Sequence, residues 1–191
     1  MKLYLVRHGK AGDSETWTSN DELRPLTEDG RAEMLAAARG LASFQLGLAT
    51  ILSSPLARAA QTADIIANAL GVPVTTVSSL APGCLLADIG PVLASYATSQ
   101  SVMLVGHEPD FSEIIGELIA GPSGAHVKMK KGACCRIDIA DKAIASAAHD
   151  NSKLLASGAL VWLLSASQLA SIGMQTVVAP GDEIGNPTTT H

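Results

Sequence analysis

Thr50-Ile51-Leu52-Ser53-Ser54-Pro55-Leu56-Ala57-Arg58-Ala59-Ala60-Gln61-Thr62 changes character at its middle. A short apolar run gives way to a hydroxyl, a proline and an Ala-rich stretch, so the segment reads as a strand, an N-cap at Ser54 with proline at the first helical position, and a helix. Gly71 and Pro73 supply a left-handed cap and a stop, which ends that helix near Leu70. The alternation recurs along the chain. Strands are predicted at Leu3 to Val6, Thr50 to Ser53, Val74 to Val77, Val102 to Val105, Ala133 to Ile139 and Leu160 to Leu164. Several are continuous apolar runs, as expected of central strands covered on both faces. Thr27 before Glu28 and Asp29 marks another helix start, and Asp110-Phe111-Ser112-Glu113 has the spacing of a capping box. Strands alternating with capped helices make the fold α/β.

The chain of 191 residues is long enough for one full core, and the polar, Gly/Pro-rich end separates a domain over 1–178 from a tail over 179–191. Apolar residues at 47% and charged residues at 16% exclude disorder and coiled coil as the main architecture. A formal net charge of −5 excludes a generally basic nucleic-acid binder, and 3% aromatics leave little to stack on bases. Cys84, Cys134 and Cys135 form no C-x-x-C pair; Cys134 and Cys135 are adjacent in a strand and face opposite ways. The stretch from Leu154 to Gly181 lacks charge, but its serines, glycines and Gln168 favour a buried strand followed by a short helix over a membrane span. The apolar start before Arg7 is too short for a signal peptide, so a reducing cytoplasm is the expected location.

Chemistry-bearing residues gather at strand ends. Leu5-Val6-Arg7-His8-Gly9 sets an arginine and a histidine at the carboxyl end of the first strand, the edge where open α/β sheets bind ligands. Gly9 would let a substrate approach the backbone. Ser54 opens a helix whose free N–H groups attract anions, and Arg58, one turn in, can reach the same place with a planar fork suited to phosphate. Val102-Met103-Leu104-Val105-Gly106-His107-Glu108-Pro109 ends another strand in a second histidine. Alone, each is an ordinary polar strand end or a solvated helix arginine. Two histidines, two arginines and two helix starts that converge make an anion site.

Arg7-His8-Gly9, Ser54-Pro55-x-x-Arg58-Ala59-x-Gln61-Thr62 and Val105-Gly106-His107 together resemble the histidine phosphatase superfamily. Arg24-Pro25-Leu26-Thr27-x-x-Gly30 and Gly106-His107-Glu108-Pro109 most resemble its SixA-type phosphohistidine phosphatases, and the likeness covers Met1 to Leu164. It implies a phosphoglycerate mutase-like three-layer sandwich with a mostly parallel central sheet. It also implies a metal-independent phosphatase without cofactor, with His8 as the nucleophile that takes the phosphoryl group and Arg7, Arg58 and His107 on its oxygens. Gly9, Ser54 and Glu108 are expected to contact substrate. Such chemistry wants His8 neutral, with Nδ1 on a backbone carbonyl and Nε2 free, and His107 charged.

Ester-cleaving members of the superfamily carry a glutamate after the third strand as general acid, whereas Ser78-Ser79-Leu80-Ala81-Pro82-Gly83 has no carboxylate. An alkoxide needs that proton more than an imidazole leaving group does. The expected substrate is therefore phosphohistidine on a signalling protein, such as a histidine phosphotransfer domain. The rivals are a phosphatase of small phosphate esters, for which Glu108, Asp13, Glu15, Asp21 or Glu22 would replace the acid, and a non-catalytic phosphate-binding module. Neither nucleic acid nor membrane is an expected partner. His126-Val127-Lys128-Met129-Lys130-Lys131-Gly132, the one basic cluster, is either a solvated turn or a docking aid for an acidic phosphoprotein. His126, His149 and His191 read as surface residues.

Overall fold

The computed structural model describes residues 1–175, so the expected tail over 179–191 lies outside the described residues. Six strands form one sheet: β1 (Lys2–Arg7), β2 (Ile51–Ser53), β3 (Val74–Thr76), β4 (Ser101–Gly106), β5 (Cys134–Ile139) and β6 (Gly158–Leu164). Their order is β3-β2-β4-β1-β5-β6. The four strands from β3 to β1 run parallel, and β5 and β6 close the sheet antiparallel. All six lie where the apolar runs put them.

Successive side chains of a strand point to opposite faces, and this alternation divides the core in two. Leu3, Leu5, Leu52, Leu104 and Cys135 belong to one half. There they meet Ile89 and Leu93 of α3 (Leu86–Ser95), Ile114 and Leu118 of α4 (Asp110–Ala120) and Ile144 of α5 (Asp141–Ser146). Tyr4, Val6, Ile51, Met103, Val105 and Cys134 belong to the other. Their partners are Met34, Ala37 and Leu41 of α1 (Glu28–Ala42), Ala63 and Ile66 of α2 (Ala57–Leu70) and Leu169 of α6 (Ala166–Gln175). Adjacent Cys134 and Cys135 thus sit in different layers, both as free thiols. The result is a three-layer sandwich, each buried Leu or Ile contributing roughly 1.5–3 kcal/mol against solvent exposure.

Local signals held at some helix ends and not at others. Thr27 caps α1 by accepting the Gly30 N–H at 3.0 Å, and Gly71, at φ 67°, ends α2. Ser54 is not the cap of α2; that place falls to Leu56, and the Ser54 hydroxyl accepts the Leu56 N–H at 3.3 Å. Nor does Asp110 form a capping box. Its carboxylate accepts the N–H groups of Gly83 and Cys84 at 2.9 and 3.2 Å, which ties the loop after β3 to the start of α4. β6 departs from the expected buried strand. It is the sheet edge with one neighbour, and Leu160 and Val161 remain 45% and 46% exposed. Among the described residues no helix is long and apolar enough to cross a membrane.

Gly30 shows how tightly α1 is set against the loop that follows β1. A Cβ there would stand 2.0 Å from the Lys10 carbonyl oxygen, which itself accepts the Thr27 N–H at 2.9 Å. Gly30→Ala should therefore destabilise the fold by about 1–3 kcal/mol despite alanine's better helix propensity, as the backbone is forced apart. Urea unfolding of the variant against the natural chain checks this.

Candidate active site

Parallel pairing of three neighbouring strands brings three carboxyl ends together. Arg7 stands opposite Gly106 and Ser53 opposite Val105. The residues just beyond are drawn into line by backbone bonds: His8 N–H donates to Gly106 at 3.0 Å and Ser54 N–H to Val105 at 3.0 Å. The His8 and His107 rings consequently lie 5.2 Å apart, centroid to centroid, tilted by 56°. Both are buried, as is Arg58, contributed by the first turn of α2.

These groups line a cleft of about 360 Å³ bounded by Arg7, His8, Ser14, Asp21, Arg24, Arg58, Pro82, His107, Glu108 and Lys131. The Nδ1 of His8 lies 2.7 Å from its neighbour's carbonyl oxygen, Gly9 O. A carbonyl can only accept, so Nδ1 carries the proton and Nε2 keeps its lone pair. His107 is fixed through Nε2, 2.8 Å from the Ser54 hydroxyl oxygen. Arg7 donates from Nη1 to the Met129 carbonyl at 2.8 Å. Arg58 donates from Nη1 to the carbonyl and carboxylate of Asp21 at 3.0 and 3.1 Å. The Nε of each arginine is buried with no acceptor among the described residues. Leaving such a donor unpaired costs about 1–3 kcal/mol, which an oxyanion placed in reach would recover.

Burial is the largest influence on both imidazoles. It carries His8 down to about 3, assisted by His107, Arg58 and Arg7 and opposed by the Gly9 carbonyl. It carries His107 down to about 4, assisted by Arg58, Arg24 and Arg7 and opposed by Asp21. The protein's own groups therefore hold both rings neutral at pH 7. For His107 this differs from the expectation of a charged ring: burial disfavours the cation and the guanidiniums add to that effect. Burial also raises Glu108, whose Oε2 accepts the Ser112 hydroxyl at 2.5 Å and whose Oε1 is buried without a partner.

Of the residues singled out in the sequence, Arg7, His8, Arg58, His107 and Glu108 meet in the cleft, and Gly9 and Ser54 do not line it. Gly9 is small for packing: a Cβ would lie 2.6 Å from Met34 Cγ, and its N–H donates to Thr62 Oγ1 at 3.0 Å. Ser54 is fully buried beneath His107, which it orients. Asp21 reaches the cleft, whereas Asp13, Glu15 and Glu22 do not line it. Arg24, quoted in the sequence only as part of the SixA-like motif, and Lys131, quoted only as part of the basic cluster, were given no place in the cleft there. Arg24 is held by Asp21 Oδ1 at 2.7 Å and by the Gly12 carbonyl at 2.5 Å, so Asp21 links two arginines. The proximity of Arg24 to Asp21 in sequence was the signal available for it; for Lys131 there was none beyond its charge. Among the described residues no three His, Cys, Asp or Glu side chains gather as a metal would require.

Comparison with known proteins agrees with this geometry. The family model of the histidine phosphatase superfamily (branch 1) matches residues 3–81. An uncharacterized protein of Picosynechococcus is 34% identical over 170 residues, covering 86% of this chain and 99% of its own. The phosphohistidine phosphatase SixA of Escherichia coli is 29% identical over 128 residues, covering 63% of this chain and 76% of its own. The solved structure of the protein histidine phosphatase SixA complexed with tungstate superposes with a TM-score of 0.73 at 22% identity, covering 88% of this chain and 99% of its own. The sandwich is thus of the phosphoglycerate mutase-like kind.

A histidine whose folded value lies below its ordinary 6.5 stabilises the fold fully above that pH and loses the contribution as pH falls through the window down to the folded value. For His107 that window runs from 6.5 to about 4. The urea midpoint of the natural chain should fall across it, and His107→Gln should fall less steeply; equal slopes would refute the assignment.

Proposed function

The chain belongs to the histidine phosphatase superfamily, and on that premise we propose that it is a phosphohistidine phosphatase working through a covalent phosphohistidine on His8. The observation that carries this is the His8 ring: neutral, its Nδ1 proton spent on the Gly9 carbonyl, its Nε2 available beside two arginines with unpaired buried donors. In the first step Nε2 attacks phosphorus, the N–P bond forms and the bond to the leaving group breaks. In the second, water attacks phosphorus, the N–P bond breaks, and inorganic phosphate and neutral His8 are regenerated. Arg7 and Arg58 hold the phosphoryl oxygens, and the arriving dianion favours the protonated form of His107, which then joins them. No metal or other cofactor is assigned a part in these steps.

Three observations support phosphohistidine as the substrate. The Escherichia coli relative bears that activity in its name. The loop after β3 contributes Pro82 to the cleft and no carboxylate. The rim residues Ser14, Asp21, Pro82 and Lys131 are all exposed, so a phosphorylated side chain can enter while still attached to its protein. A histidine phosphotransfer domain of a signalling protein has the required form. The three buried free thiols are in keeping with a reducing compartment such as the cytoplasm.

A second reading, a phosphatase of small phosphate esters, is favoured by one observation. Glu108 lines the cleft, and burial raises its carboxyl above the ordinary value, the direction that a general acid for an alkoxide requires. Glu108→Gln distinguishes the two. Under the phosphohistidine reading, turnover of phosphoramidate falls less than ~10-fold and sugar phosphates stay poor substrates; under the ester reading, turnover of sugar phosphates is high and falls ~10²–10⁴-fold.

Protein exposed to labelled phosphoramidate and denatured in alkali should carry acid-labile phosphate on His8. His8→Ala should abolish both label and turnover with the circular dichroism spectrum unchanged. A natural chain that neither traps label nor turns over any phosphate compound would leave a non-catalytic binding module. Arg58→Ala should lose ~10²–10³-fold in kcat/KM, seen in steady-state kinetics.

A further inference from the structure

We propose that Lys128 and Lys130, continued by Lys131 at the cleft mouth, form a docking strip for an acidic face of the phosphoprotein substrate. This deepens the reading of the site as a phosphohistidine phosphatase and rests on it.

The backbone of the strip is anchored beside the cleft, while the side chains of Lys128 and Lys130 stand outside it. Met129 is 1% exposed and packs into the core, whereas Lys128 and Lys130 on either side of it are exposed. Alternation about a buried anchor sends both ammonium groups outward. The Met129 carbonyl accepts from Arg7 at 2.8 Å. Gly132, turning at φ 72°, donates its N–H to the carbonyls of Arg7 and His8, each at 3.1 Å. The segment is therefore pinned at both ends to the residues beside the reacting nitrogen, and Lys131 lines the cleft itself. None of the three lysines forms an ion pair with a described residue, while Lys10 and Lys153 are paired with Asp29 and Asp150.

Charge decides the occupant. The chain as a whole carries −5, so a nucleic acid, whose charge continues far beyond the strip, is repelled along the rest of its length. A protein whose carboxylates are confined to a small patch beside its phosphorylated residue meets three clustered cations without an ion-pair partner among the described residues, one of them lining the cleft. Such contacts steer encounter and weaken with salt, since the screening length is about 10 Å at 0.1 M.

The test compares two substrates on the full chain: potassium phosphoramidate, and an acidic histidine phosphotransfer domain phosphorylated by it. In Lys128→Glu/Lys130→Glu, neither altered residue lining the cleft, kcat/KM for the phosphoprotein should fall roughly 10- to 100-fold at low salt. Most of the loss should appear in KM, and it should shrink as salt rises. Turnover of phosphoramidate should be unchanged, and Lys128→Gln/Lys130→Gln should lie between. Equal losses on both substrates, or none on the phosphoprotein, would overturn the docking strip alone. So would a natural chain whose turnover of phosphoramidate is inhibited by short single-stranded DNA more strongly than by the acidic domain. A natural chain that traps no phosphate on His8 would overturn the strip together with the function beneath it.

Discussion

Parallel pairing of β1 with β4, with Arg7 opposite Gly106, is the constraint on which the rest depends. The two strands lie at the centre of the sheet and are covered on both faces, so a slip of one residue would turn Leu3 and Leu5 into the layer that holds Tyr4 and Val6. Both layers are apolar, so it is the fit of these differently shaped side chains in two close-packed cores that opposes the slip. Register is thereby fixed over the whole length of the strands, and it delivers His8 and His107 side by side at the carboxyl edge. A cleft of buried cations is costly to assemble, and here the cost is met by the two cores beneath it.

The unusual state of the site follows from the same burial. Two imidazoles and two guanidiniums share a small volume, and desolvation, with the guanidiniums adding to it, keeps both imidazoles neutral. The lone pair on His8 Nε2, which the proposed mechanism needs, is secured twice, by desolvation and by the Gly9 carbonyl that fixes the tautomer. Ser54 and Thr62 serve one step further out. Ser54 holds the His107 ring, while Thr62 Oγ1 accepts from Gly9 N–H and donates to the Arg58 carbonyl at 2.7 Å. The strand end that carries His8 and the first turn of α2 are thus joined through one hydroxyl.

The layers and the strands were legible because period-two burial and Gly/Pro punctuation are local. So was the convergence of Arg7, His8, Arg58 and His107, since each follows a strand in a fold with a known binding edge. What escaped depended on distant partners. Asp110 reads as a helix cap until Gly83 and Cys84 take its carboxylate from across the molecule. Gly9 reads as an opening for substrate until Met34 is found filling the space beside it. β6 reads as buried because its composition is apolar, but composition does not say which strand is last in the sheet. α3 carries Pro91 inside it, and Leu85, its N-cap, offers no side-chain bond, so its start is marked only by Asp88, whose carboxylate accepts the Leu85 N–H at 2.9 Å.

Asp21 ties the loop that carries it to Arg58, giving that guanidinium both a carboxylate and a carbonyl as acceptors. An arginine so engaged yields less free energy to an incoming anion than a bare one, and surrenders a departing one as readily. Asp21 is in this sense an internal rival: an anion arriving at that nitrogen competes with a carboxylate already seated there, and the same carboxylate is at hand to take the place back when the anion leaves.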